Sequence, residues 1–156
     1  MATRRDAREW ALQIVFSLDL NTRKELDRVF DDFFESNPTD DATVRAFCES
    51  LVQGVVAERT VIDEAIGRYA EHWSLKRMGV VDRNVLRIAL YELMFRPEVP
   101  PAVVINEAID IAKYFSNSES GRFVNGILDR ARKELEQERD GQDKPSNGRG
   151  GQRRRG

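Results

Sequence analysis

One cysteine and one histidine are the only thiol and imidazole groups in these 156 residues. Cys48 alone cannot close an internal disulfide, and such sparing use fits a reducing cytosol. His72 has no cysteine or second histidine near it, which argues against a zinc site. Long apolar runs are missing too, since none approaches the roughly 18 residues needed to cross a bilayer. The start, MATRRDAREW, has basic residues but no purely apolar segment behind them, unlike a secretory signal. Catalytic patterns are equally scarce. There is no glycine-rich phosphate loop, no nucleophile elbow, no pair of histidines and no cysteine–histidine pair. Carboxylates abound, but they stand at i, i+3 or i+4 from basic residues, a spacing that supports helices rather than acid–base chemistry. The expectation is a cytoplasmic, non-catalytic chain without metal or cofactor.

What is present suits one soluble domain: 40% hydrophobic residues supply a core, and 33% charged residues supply a surface. The net charge of −2 hides a split. Residues 139–156 hold six basic and two acidic side chains, a net of +4, which leaves −6 on residues 1–138. An acidic body does not attract nucleic acid by bulk charge, so any such binding has to be local. The last segment, GQDKPSNGRGGQRRRG, is too polar and glycine-rich to fold. Two parts are therefore expected: a helical binding domain over 1–138 and a disordered basic tail over 139–156.

Apolar periodicity predicts seven helices and no strands, an all-α bundle. The stretch organising it is Val81–Met94, VDRNVLRIALYELM, whose apolar residues cover so much of the circumference that neighbours must surround it. Its polar residues Asp82, Arg83, Asn84, Arg87 and Glu92 gather on one edge, either solvated or available to a partner. Before it, helices are expected over residues 4–18, about 24–35, 41–58 and 59–69, with Thr3 capping the first. Phe30, Phe33 and Phe34 fall on the buried stripe of the second, and Val56 and Val61 on the buried faces of the third and fourth. A connection follows in which Trp73, Leu75 and Met78 pin the chain to the core. Two more helices, over 102–115 and about 119–138, complete the set. Gly126, inside the last, reads as permitting close helix contact.

Arg4, Arg5 and Arg8 gather at the first helix's start, where the helix dipole favours acids and each cation costs about 0.3–1 kcal/mol. Such an end, with open N–H groups and guanidinium forks, suits a phosphate; the alternative is a solvated, salt-bridged first turn. Arg122 opens the last helix beside Phe123, and Lys113 points outward nearby. A cation next to an aromatic ring suits single-stranded RNA, although Phe123 also fits a core position.

Four blocks carry a resemblance to a known family. Arg4-Arg5-x-Ala7-Arg8-Glu9-x-Ala11-x-Gln13, Val81-Asp82-Arg83-x-x-Leu86-Arg87-Ile88-Ala89-Leu90-Tyr91-Glu92-Leu93, Val104-Ile105-Asn106-Glu107-Ala108-Ile109 and Phe123-Val124-Asn125-Gly126-Ile127-Leu128-Asp129 stand in order across residues 4–132. The pattern resembles the NusB transcription antitermination factors. That resemblance implies a compact all-helical fold that binds the boxA segment of ribosomal RNA leader transcripts. It also implies pairing with NusE, a ribosomal small-subunit protein, and action on elongating RNA polymerase. By position, Arg4, Arg5, Arg8, Lys113, Arg122 and Phe123 are expected at RNA, and Phe16, Asp82 and Arg83 at the partner surface. Phe16 stands where many members have tyrosine, Asp6 interrupts a run that is often more basic, and the arginine-rich tail lies outside the shared pattern. Self-association as a homodimer stays open. So do a purely protein-binding helical module and the RNA-binding domain found fused to ribosomal RNA methyltransferases.

Overall fold

The computed structural model describes residues 2–20, 25–71 and 78–143, the side chains of 142 and 143 excepted. Among them are seven helices and no strand: α1 (Arg4–Leu20), α2 (Leu26–Ser36), α3 (Ala42–Ala57), α4 (Arg59–Ala70), α5 (Val80–Phe95), α6 (Pro101–Phe115) and α7 (Ser118–Asp143). Local chemistry sets their starts. Thr3 Oγ1 accepts from the Asp6 backbone N–H while Asp6 Oδ2 accepts from the Thr3 N–H, a reciprocal capping box with aspartate. Asp41 caps α3 by accepting from the Val44 N–H, and Asn117 caps α7 by accepting from the Ser120 N–H. Pro101 opens α6, where its missing N–H has no intrahelical partner to lose.

α5 packs against α1, α3, α4, α6 and α7, so it is covered on several sides as its apolar circumference requires. Leu86 and Leu90 are wholly buried at its centre, with Leu51 of α3, Ile62 of α4 and Leu128 of α7 among the other fully enclosed side chains. α2 attaches through aromatic edges: Trp10 meets Phe34 at 5.6 Å between centroids, at right angles, a favoured arrangement for two quadrupoles. Phe30 and Phe34 are buried, and Phe33 is half-buried against the core. Cys48 is fully enclosed, and burial pushes its thiol up to about 12, which leaves it inert.

Several expectations need correction. Most of the polar edge of α5 is neither solvated nor open to a partner, because Asn84, Arg87 and Glu92 are buried with their own partners, while Asp82 and Arg83 at its first turn are half-buried. Val56 and Val61 are exposed, each lying at the margin of its helix's buried stripe. Gly126 faces open space, whereas the close approach falls at Gly54, where a Cβ would lie within 2.0 Å of the Tyr91 ring. α7 continues through Asp143, past residue 138 where the helix was expected to end. His72, Trp73 and Leu75, the break at Asn21 and Thr22, and tail residues 144–156 lie outside the described residues.

Candidate nucleic-acid interface

The three arginines of α1 meet three different fates. Arg8 turns inward. Its Nε and Nη2 donate to the two carboxylate oxygens of Glu92 at 2.7 and 2.8 Å, and its Nη1 reaches Glu107 at 3.3 Å. Both Arg8 and Glu92 are buried, so this fork ties α1 to α5 within the core and holds the guanidinium away from an outside phosphate. This corrects the expectation that Arg8 faces RNA. Its partners come from distant segments that local spacing does not reveal.

Arg5 is half-committed. Its guanidinium donates to Glu107 and, at 3.0 Å, to Asp110 on α6, and the hydrogen bond to Glu107 raises its pKa further. Its side chain remains about a third exposed at 36%. Arg4 is more open: it is exposed, its guanidinium carbon stands 4.3 Å from the centroid of the Phe47 ring, and no carboxylate among the described residues lies within ion-pair distance of it, although after Arg96 its charge also helps hold the Glu98 carboxyl below the ordinary range. An arginine on a ring face keeps its edge donors free for an anion.

A second set of cations lies where α6 ends and α7 begins. Lys113 and Arg122 are both exposed, and neither has an ion-pair partner among the described residues. Gly121 leaves room for the Lys113 stem to pack against α7, because a Cβ there would come within 2.7 Å of Lys113 Cγ. The lysine stem thus lies across α7 immediately beside Arg122.

Phe123 and Asp82 come together at the first turn of α5. With Met78, Gly79, Asn117 and Glu119 they line a surface concavity of about 270 Å³. One carboxylate oxygen of Asp82, Oδ1, is buried there without a hydrogen-bond partner. Phe123 is half-buried, between the core and platform alternatives, with one side packed on the core. Across the same turn lies an apolar groove of about 450 Å³, lined by Phe16, Phe33, Val80, Val81, Phe115 and Gln13 among others. Phe16 is 41% exposed at its rim. The expected RNA side (Phe123) and partner side (Phe16) therefore flank one helix start.

Arg83, grouped with the partner surface, leans instead toward an internal charge cluster, 3.5 Å from Asp19. There Arg87 donates to both oxygens of Asp63 at 2.8 and 3.1 Å, and to Asp19 at 3.2 Å; Asn84 adds a bond to Asp19 at 3.1 Å. Burial opposes the charge on Asp19, but the Asn84 hydrogen bond and the nearby Arg87, Arg59 and Arg83 hold its carboxyl below the ordinary range. The cluster joins α1, α4 and α5. Sequence reasoning missed it, and it also missed Tyr114, which is 77% exposed on α6. The available signal for Tyr114 was an aromatic four residues after Asp110, on the polar face of its helix.

Comparison with known proteins points one way. Residues 5–133 match the family model described as "NusB family". The transcription antitermination protein NusB of Myxococcus xanthus is 44% identical over 133 residues, covering 83% of this chain and 94% of that protein. Among solved structures, that of "T. maritima NusB" has a TM-score of 0.77 at 38% identity, covering 85% of this chain and 92% of its own. A crystal structure of the antitermination factors NusB and NusE in complex with dsRNA has a TM-score of 0.76 at 28% identity, covering 83% and 96%.

Proposed function

The chain belongs to the NusB family, and from that premise we propose that it is a non-catalytic, cytoplasmic RNA-binding transcription antitermination factor. It binds the boxA segment of nascent ribosomal RNA together with NusE, and acts on the elongating RNA polymerase. The observation that carries the reading is that Arg4, Lys113 and Arg122 are exposed and none of them makes an ion pair among the described residues, on a body whose net charge is −6. On such a body, cations left unpaired attract an anion locally, here at the start of α1 and where α6 meets α7. Arg5, partly held by Glu107 and Asp110, adds a further donor, and Phe123 offers an aromatic surface beside Arg122. Phe16 and the apolar groove provide the protein-binding side, with Asp82 at the boundary between the two. A related NusB bound to NusE and dsRNA supports both associations.

The deciding experiment is a gel shift with boxA RNA, with and without NusE, using full-length and tail-deleted protein. Three phosphate contacts give a log–log salt slope of about −2 on single-stranded RNA. Binding that shows no salt dependence contradicts the reading. The apolar groove at Phe16 favours a second reading, a helical protein adaptor without direct RNA contact. That reading requires NusE to bind equally well with RNA present or digested, and RNA not to shift the protein at all.

A further inference from the structure

We propose that Tyr114 is a base-stacking platform for single-stranded RNA, placed between the two groups of RNA-facing cations. The inference rests on the RNA-binding reading above and adds a contact that the arginines and Phe123 do not supply. Tyr114 is the most exposed of the large apolar or aromatic side chains among the described residues, at 77%, and its ring meets Phe115 at right angles, edge to face, at 5.1 Å and 84°. A perpendicular neighbour covers at most one face of a ring, so at least one face of Tyr114 is left to whatever approaches from solvent. A single exposed aromatic is by itself unremarkable on a protein surface. Its surroundings make the difference.

Along α6, Glu107, Asp110 and Tyr114 follow at i, i+3 and i+7, on one side of the helix. Arg5 donates to both carboxylates, and the nearer of them, Asp110, stands one helical turn before Tyr114, a rise of about 6 Å along the backbone. Lys113 precedes Tyr114 in the chain, and its stem lies over Gly121 beside Arg122. The ring therefore has a partly neutralised arginine on one side and two unpaired cations on the other. An apolar protein partner would have to strip water from Lys113 and Arg122 without pairing them. RNA pairs them with phosphates while a base covers the ring. The juxtaposition favours a nucleic acid, and stacking requires an unpaired base.

The test uses the full chain and three ligands: a short single-stranded boxA RNA, the same RNA annealed to its complement, and NusE alone. Tyr114→Ala is expected to weaken single-strand binding by about 5- to 150-fold, the range of one lost stacked base. It is expected to leave thermal unfolding, duplex binding and NusE binding unchanged. Tyr114→Trp is expected to retain affinity, with indole emission quenched on adding the single strand. The proposal is overturned if Tyr114→Ala binds the single strand within twofold of the unaltered chain, or if the loss is confined to NusE. A chain with Tyr114 intact that binds none of the RNAs overturns the RNA-binding reading itself.

Discussion

Arg8 and Arg122 are the same side chain near the beginnings of two helices, yet they serve opposite ends. Arg8 is buried and forks onto Glu92 in the core, whereas Arg122 is exposed and makes no ion pair among the described residues. The first holds helices together; the second is free to hold something else. Residue type and helix position are shared, so what separates them is the supply of carboxylates from other parts of the chain. A cluster of arginines is a binding surface only in the portion that the fold does not consume.

The comparison breaks most visibly on the inside. Glu92→Ala strands a buried guanidinium and is expected to cost about 3–5 kcal/mol in a urea or thermal unfolding experiment. Any loss of RNA binding should then follow the loss of folded protein. Gly54→Ala, which drives a methyl into the Tyr91 ring, is expected to cost about 1–3 kcal/mol by the same measurement. A smaller effect follows from Asp19. Its carboxyl is held below the usual range in the fold, while in the unfolded chain it titrates near 3.9. The unfolded state therefore takes up the proton first on acidification. The stabilising contribution is complete above about pH 4 and is lost as pH falls through the folded value. Unfolding free energy measured across that acid range should fall less steeply in Asp19→Asn than in the unaltered chain.

Outside, the signs reverse. Replacing Lys113 and Arg122 together by alanine is expected to change stability by no more than about 0.5 kcal/mol. The salt slope of single-strand RNA binding should shrink by about 1.4, two phosphate contacts' worth. An unchanged slope places the phosphate-binding cations elsewhere.

Much of this was legible before folding was known. Seven helices follow from apolar spacing, and the central position of Val80–Phe95 follows from the width of its apolar arc. Thr3 and Asn117 announce helix starts through side chains whose reach is local. The failures share one cause. Arg8 meets Glu92 across 84 positions, and Arg87 meets Asp19 across 68, distances over which periodicity says nothing. A polar edge on α5 looked like surface because its acceptors lie on other helices. Gly126 looked like a contact point because glycine marks closeness only where a neighbour arrives, and that neighbour is at Gly54. Tyr114 escaped notice for the reverse reason, an aromatic set among charged residues on the outer face of α6.

The division of the α1 arginines is tested most directly by replacing the buried pair together, Arg8→Met with Glu92→Leu. A buried ion pair exchanged for apolar side chains of similar volume is commonly neutral or stabilising. The folded double variant should bind single-stranded boxA RNA within twofold of the unaltered chain and with the same salt slope. A folded variant whose slope shrinks by about 0.7, one phosphate contact, would show that Arg8 reaches RNA after all.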